Sequence, residues 1–163
     1  MITLPNTHIR VLAPVPALDY YDSQSINLPH PVRPLEAWAL AMADPQPFMQ
    51  LAFRIRDAIS SCFGVKKIGG FSGKTVTNVE PGDHLDFFLV EYIDQTALVL
   101  TERDRHLDVM TCISCDGPTV SITSSVRIHN WFGRAYMIPV GIAHKWIVHG
   151  TLKRLASKLS PKT

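Results

Sequence analysis

Hydrophobic positions along this chain switch between helical and strand spacing, and the switches mark its elements. Up to residue 30 no period is sustained. Pro14 and Pro16 interrupt any ladder, and only the segment from Leu18 to Asn27 has strand character, which predicts an irregular lead-in over residues 1–30 with one edge strand. From Pro34 the spacing becomes helical. Leu35, Trp38, Ala39 and Met42 follow i, i+3, i+4, i+7, and Pro34 suits a first helical position, where its missing N–H costs nothing. Beyond Pro45 and Pro47 the stripe resumes with Phe48, Leu51, Ala52, Ile55, Ala58, Ile59 and Cys62 until Gly64 ends it, so residues 34–63 read as two helices.

The period changes to two after the turn signal Glu80-Pro81-Gly82-Asp83. The runs HLDFFLVEYI, TALVLTER, HLDVMTCIS and TVSITSSVRIH are rich in β-branched and aromatic residues. Their separators are short enough for hairpins, so residues 75–129 are expected to form an antiparallel meander in sequence order. In the last run Val120, Ile122, Ser124, Val126 and Ile128 share one face; Thr119, Ser121, Thr123, Ser125 and Arg127 share the other. That alternation predicts a covered face and a face open to water. In the preceding run Leu107, Val109, Thr111 and Ile113 oppose His106, Asp108, Met110, Cys112 and Ser114.

Residues 133–159 return to helical spacing. Tyr136, Ile138, Val140, Ile142, Ala143, Trp146 and Ile147 occupy about half of a helical wheel, and Val148, Leu152, Leu155 and Leu159 continue as a rotated stripe. Pro139 either kinks this helix or opens its second piece. So wide an apolar arc predicts a helix lying across the covered face of the sheet. The class is therefore α+β: a curved antiparallel sheet, two short helices and a long C-terminal helix across its concave face.

Composition narrows the function classes. The 163 residues, 46% hydrophobic and 18% charged, fit one domain that can bury a substantial core. A net charge of +2 gives no reason to expect nucleic acid as a partner, and Lys153, Arg154, Lys158 and Lys162 read as a solvated basic face that also suits a helix C-terminus. No apolar run approaches the roughly 20 residues a membrane span needs. The first ten residues lack the basic and apolar regions of a secretory signal, and three cysteines is an odd number in a chain that does not need staples. A cytoplasmic setting is expected.

Several motifs invite chemistry and mostly fail on spacing. Gly73-Lys74-Thr75 matches the end of a phosphate loop, but the first glycine would stand at Ile68, and the sequence that follows reads as strand and turn instead of helix. The repeated units His84-Leu85-Asp86 and His106-Leu107-Asp108 resemble metal ligands, yet the intervening strand separates them by about 9–10 Å. His144 and His149 stand about 140° apart on a helix and cannot share an ion. Cys112 and Cys115 form a C-x-x-C, but an odd separation on a strand points them to opposite faces. No metal and no cofactor is expected, and both thiols should be free.

The element order, together with Gly82-Asp83-His84-Leu85-Asp86-Phe87-Phe88-Leu89-Val90-Glu91 and with Asn130-Trp131-Phe132-Gly133-Arg134-Ala135-Tyr136, Pro139 and His144, resembles a bacterial family of unknown function within the START-like, helix-grip superfamily. The resemblance runs from about Val32 to Ala156. Phe88 stands where that pattern has tryptophan and Leu89 where a basic residue is common. Lipid-transfer domains and aromatase/cyclases share the superfamily, so the resemblance implies a cavity between sheet and terminal helix.

If Asp86, Phe88, Val90 and Tyr92 face that cavity, they line it with Trp38 and Trp146 and bring one carboxylate into an apolar pocket. Burial would raise the pKa of Asp86, making it an acid/base candidate; pairing with Arg134 is the structural reading of the same residue. Binding of a small hydrophobic or aromatic molecule is the favoured function, because the sequence displays no nucleophile, base and orienting group together. A cyclase- or hydrolase-like enzyme using Asp86, aided by Glu91 or His144, is the alternative. Association through the open sheet face, as in a homodimer, is a third reading.

Overall fold

The computed structural model describes residues 1–43 and 76–160. Strands β1 (Ile2–Thr3) and β2 (Arg10–Val11) form a small hairpin, and a 3-10 turn at Val15–Ala17 leads into β3 (Tyr20–Asn27). Helix α1 (Pro34–Met42) follows, then β4 (His84–Leu85), β5 (Phe88–Ile93), β6 (Ala97–Arg103), β7 (Leu107–Asp116) and β8 (Thr119–Ile128), and finally α2 (Trp131–Leu159). The expected second helix, with Cys62, and the Gly73-Lys74-Thr75 motif lie outside the described residues.

The main sheet has the order β3-β8-β7-β6-β5-β4, all antiparallel. Strands β5 to β8 pair with their sequence neighbours, as short hairpin connections require. The lead-in strand β3 returns to pair along the whole of β8, Tyr20 opposite Val126 and Asn27 opposite Thr119. Helix α2 crosses one face of this sheet. The α+β arrangement anticipated from the periodicities is thus present.

Faces of β7 and β8 fall as their alternation predicts. Leu107, Val109, Thr111 and Ile113, with Val120, Ile122, Ser124 and Val126, turn toward α2. On the opposite face Met110 and Cys112 pack with Ala97 and Val99 in a second, smaller cluster. That face is not simply open to water. The β1–β2 hairpin lies over it, so that Val11, Thr123 and Ser125 are buried, the Leu12 N–H donates to Ser125 Oγ at 3.2 Å and the Arg10 N–H donates to Cys112 Sγ at 3.3 Å. Hydroxyl pairs Ser23–Thr123 and Ser25–Ser121, at 2.7 and 2.8 Å, tie β3 to β8 across the same face.

The run HLDFFLVEYI, expected as one strand, is two. Leu85 pairs with Phe88, and the chain reverses through Asp86 and Phe87, with Asp86 at φ +58°. Aspartate tolerates this left-handed backbone better than a β-branched or bulky residue would. Farther on, Val90 pairs with Leu100 but Tyr92 with Val99, so Glu91 is the extra residue of a bulge. The bulge inverts the alternation: Val90 remains in the main core, while Tyr92 moves to the opposite face, against the smaller cluster and under the Arg10 guanidinium, 3.4 Å from its ring centroid.

Helix α2 runs unbroken through Pro139. Asn130 caps it, its Oδ1 accepting the Gly133 N–H at 3.1 Å while its Nδ2 donates to the Arg105 carbonyl at 3.0 Å. Gly133 is needed there, because a Cβ would lie 2.7 Å from the His106 carbonyl oxygen. At the other end the Lys158 ammonium donates to the Leu40 carbonyl at 2.9 Å, and Val148, Leu152 and Leu155 are buried in one cluster with Ala37 and Trp38 of α1. Each such buried aliphatic side chain contributes about 1.5–3 kcal/mol.

Candidate functional site

Between α2 and the concave face of the sheet lies a cavity of about 280 Å3. Its floor is the inward set of β7 and β8, predicted residue by residue from their alternation. Its roof is α2, through Phe132, Tyr136, Met137, Val140, Ala143, His144 and Ile147; Trp38 and Ala41 of α1 and Phe88 of β5 close one side. Trp38 meets Phe88 edge to face at 6.0 Å between centroids, and Phe132 stacks with Tyr136 at 6.4 Å. The lining is overwhelmingly apolar.

Within that lining one polar chain stands out. Tyr20, at the start of β3, donates its hydroxyl to the Gly141 carbonyl at 3.1 Å, and the same oxygen is 3.5 Å from His144 Nδ1. On the other side of the ring His144 Nε2 is 3.2 Å from Ser124 Oγ. The assignment that satisfies every group has Nδ1–H donating to the Tyr20 oxygen and the Ser124 hydroxyl donating to Nε2. Burial holds the imidazole neutral: desolvation lowers the His144 pKa, against a smaller opposing pull from the Asp22 carboxylate. Desolvation, and then Asp22, push the Tyr20 phenol up to about 12, so it remains a hydroxyl. The Gly141 backbone approaches Tyr20 so closely that an added Cβ would lie 3.0 Å from its ring. Local sequence thus brings helix and edge strand together where this relay forms.

A second polar group borders the cavity where α2 begins. Asp104 Oδ1 accepts the N–H groups of His106 and Leu107 at 2.6 and 2.8 Å, forming the β6–β7 turn. The Arg105 Nε–H donates to His106 Nε2 at 2.9 Å and His106 Nδ1 lies 3.0 Å from Asn130 Oδ1, so His106 is spent on anchoring the helix cap.

Of the residues expected to line the pocket, the structure brings Trp38 and Phe88 to it. Val90 is fully buried in the core cluster beside the cavity without lining it. Asp86 is exposed at its hairpin turn and does not reach the cavity, and Arg134 stands 3.9 Å from Asp19 instead. Tyr92 is on the other face for the bulge reason given above. Trp146 is 73% exposed, because it stands about 200° around the helix from the inward-facing His144. Glu91 is bound to Arg103 at 2.6 Å.

The relay of Tyr20, Ser124 and His144 is what sequence reasoning missed as a unit. Its visible trace was Ser124, the one hydroxyl in the otherwise apolar inward set of β8. Among the described residues no group of three or more His, Cys, Asp or Glu side chains is placed to hold a metal ion. Cys112 and Cys115 are buried on opposite faces of β7, as their odd spacing predicts, and burial pushes both thiols up to about 11. No helix among the described residues is long and apolar enough to cross a membrane.

No curated protein and no solved structure matches this chain. A family does, and over most of its length: by its match to residues 15–151, the chain belongs to the family described as protein of unknown function, DUF2867.

Proposed function

We propose that this protein binds a small hydrophobic or aromatic molecule carrying one hydroxyl or carbonyl group, in the cavity between the sheet and α2. The observation that carries the proposal is the apolar cavity of about 280 Å3 with the Tyr20–His144–Ser124 hydrogen-bonded relay on its wall. A binding site needs an apolar lining for affinity and a few polar groups for orientation, and this cavity supplies both. Its volume lies at the lower end of the roughly 300–1,000 Å3 of ligand pockets, which favours a compact molecule over a two-chain lipid. Kinship with the START-like superfamily, suggested by element order and by the Gly82–Glu91 and Asn130–Tyr136 segments, agrees with this reading. A cytoplasmic setting is part of it.

Trp38 makes the test direct. In a Trp131→Phe/Trp146→Phe variant, Trp38 is the remaining tryptophan and sits in the cavity wall. A panel of phenols, aromatic ketones and short-chain alcohols should change its emission saturably. Narrowing the cavity with Val140→Phe should weaken the response with little change in the unfolding temperature. Absence of any saturable response across the panel, together with no apolar molecule retained in native mass spectrometry of fresh protein, would refute the proposal.

A second reading has one specific observation in its favour. The Ser124 hydroxyl donates toward a neutral, desolvated imidazole, which is how a hydrolase- or cyclase-like enzyme would prepare a nucleophile or base. The acid/base alternative therefore rests on His144, since Asp86 lies outside the cavity. Ser124→Ala separates the readings: a binding module keeps its ligand response, whereas an enzyme that hydrolyses an aryl ester of one of the panel phenols loses turnover while still binding the ester.

A further inference from the structure

Helix α2 has two apolar faces, and only one is used by the cavity. Trp131, Ile138, Ile142 and Trp146 are 75, 70, 62 and 73% exposed. On a helical wheel they fall within about 40° of one line, opposite Val140, His144 and Thr151, which face the cavity. Trp131 and Trp146 stand about 22 Å apart along the axis, so this is a continuous ridge. Scattered surface apolar residues need no explanation; two tryptophans and two isoleucines aligned on one exposed ridge do.

Charge identifies what the ridge suits. The helix contains five Lys and Arg and no Asp or Glu, whereas the whole chain is only +2. Lys145 and Lys153 are exposed on or beside the ridge, and Arg134 flanks it, its guanidinium 3.9 Å from Asp19 and largely in water. A second copy of the chain would bring these cations toward one another without an acidic partner on the helix. An anionic apolar interface meets both features. Aromatic and aliphatic side chains enter the headgroup boundary, and flanking lysines and arginines meet lipid phosphates. The terminal cations alone read as an ordinary solvated face; alignment with an exposed tryptophan ridge changes that reading.

We infer that the outer face of α2 docks this protein onto an anionic lipid surface, with Trp131, Ile138, Ile142 and Trp146 inserted and Lys145, Lys153 and Arg134 on the headgroups. This is peripheral attachment, distinct from a membrane span. It stands apart from the ligand reading, because it concerns the opposite side of the helix.

Co-sedimentation of the full chain with phosphatidylcholine vesicles, with and without phosphatidylglycerol, tests it. Binding should require the anionic lipid and should weaken as salt is raised. Ile138→Asp/Ile142→Asp should lower partitioning at least about tenfold with an unchanged unfolding temperature, and Lys145→Gln and Lys153→Gln should each lower it roughly fivefold. If the aspartate variant misfolds, quenching by brominated phosphatidylcholine replaces it: the natural chain should be quenched and the Trp131→Phe/Trp146→Phe variant not. No binding to anionic vesicles, equal binding to neutral ones, or a dimer in analytical ultracentrifugation that Ile142→Asp dissociates would overturn the inference.

Discussion

Lowering the pH should destabilise this protein through one histidine. His144 is held neutral in the fold by desolvation, so its folded pKa lies below the ordinary value of 6.5. A group whose folded pKa is depressed favours the unfolded chain once protons become available: its stabilising contribution is whole above the unfolded pKa and is lost as pH falls below it. The slope is at most about 1.4 kcal/mol per pH unit for one proton. A fall from about pH 7.5 to about pH 5.5 therefore costs at most about 1.4 kcal/mol, the limit for an imidazole that takes up no proton in the fold, since only the last unit lies below the unfolded value. For a chain of 163 residues that ceiling corresponds to roughly 4 °C in unfolding temperature. The assay is circular-dichroism melting at both pH values for the natural chain and for His144→Gln, which keeps a polar side chain but cannot titrate. The other histidines contribute alike to both proteins, so the difference in pH-induced loss isolates His144. Equal losses in the two proteins would refute the assignment of a neutral His144 between Tyr20 and Ser124.

Two further outcomes follow from close packing. Gly133→Ala should destabilise by about 1–3 kcal/mol in urea unfolding, despite alanine's better helix propensity, because its Cβ would meet the His106 carbonyl at 2.7 Å and the Ile128 and Leu107 side chains at 2.9 and 3.0 Å. Cys112 and Cys115 should resist alkylation at neutral pH until the protein is unfolded, since burial raises both thiols to about 11; mass-resolved labelling with and without denaturant reads this, and rapid labelling of the native protein would contradict it.

Much of the sheet was legible in the sequence. Strand alternation is a local property of the backbone, so the inward sets of β7 and β8, including Ser124, could be read without any tertiary contact. For the same reason the opposite facing of Cys112 and Cys115 followed from their spacing alone. The start of α1 at Pro34 and the glycine turn at Gly82 are likewise local. The corner at Asp86 and the bulge at Glu91 were not legible, because each depends on hydrogen-bond register with a neighbouring strand. Without the bulge Tyr92 would share a face with Val90; with it, Tyr92 lies under Arg10 on the other side of the sheet.

By itself, the sequence determined β3, α1, β6 to β8 and α2, and which side chains share a face within β7 and β8, because those follow from periods of two and of 3.6 residues. Tertiary structure decided which of α2's two apolar faces meets the sheet. Periodicity marks Ile142 and Trp146 as apolar just as it marks Val140 and Ile147, and only the docking of the helix separates them. That docking is set by contacts between distant segments: the Asn130 cap against the β6–β7 turn, Gly141 against Tyr20, and Lys158 against Leu40. It is also what places Tyr20, Ser124 and His144, far apart in the chain, around one imidazole.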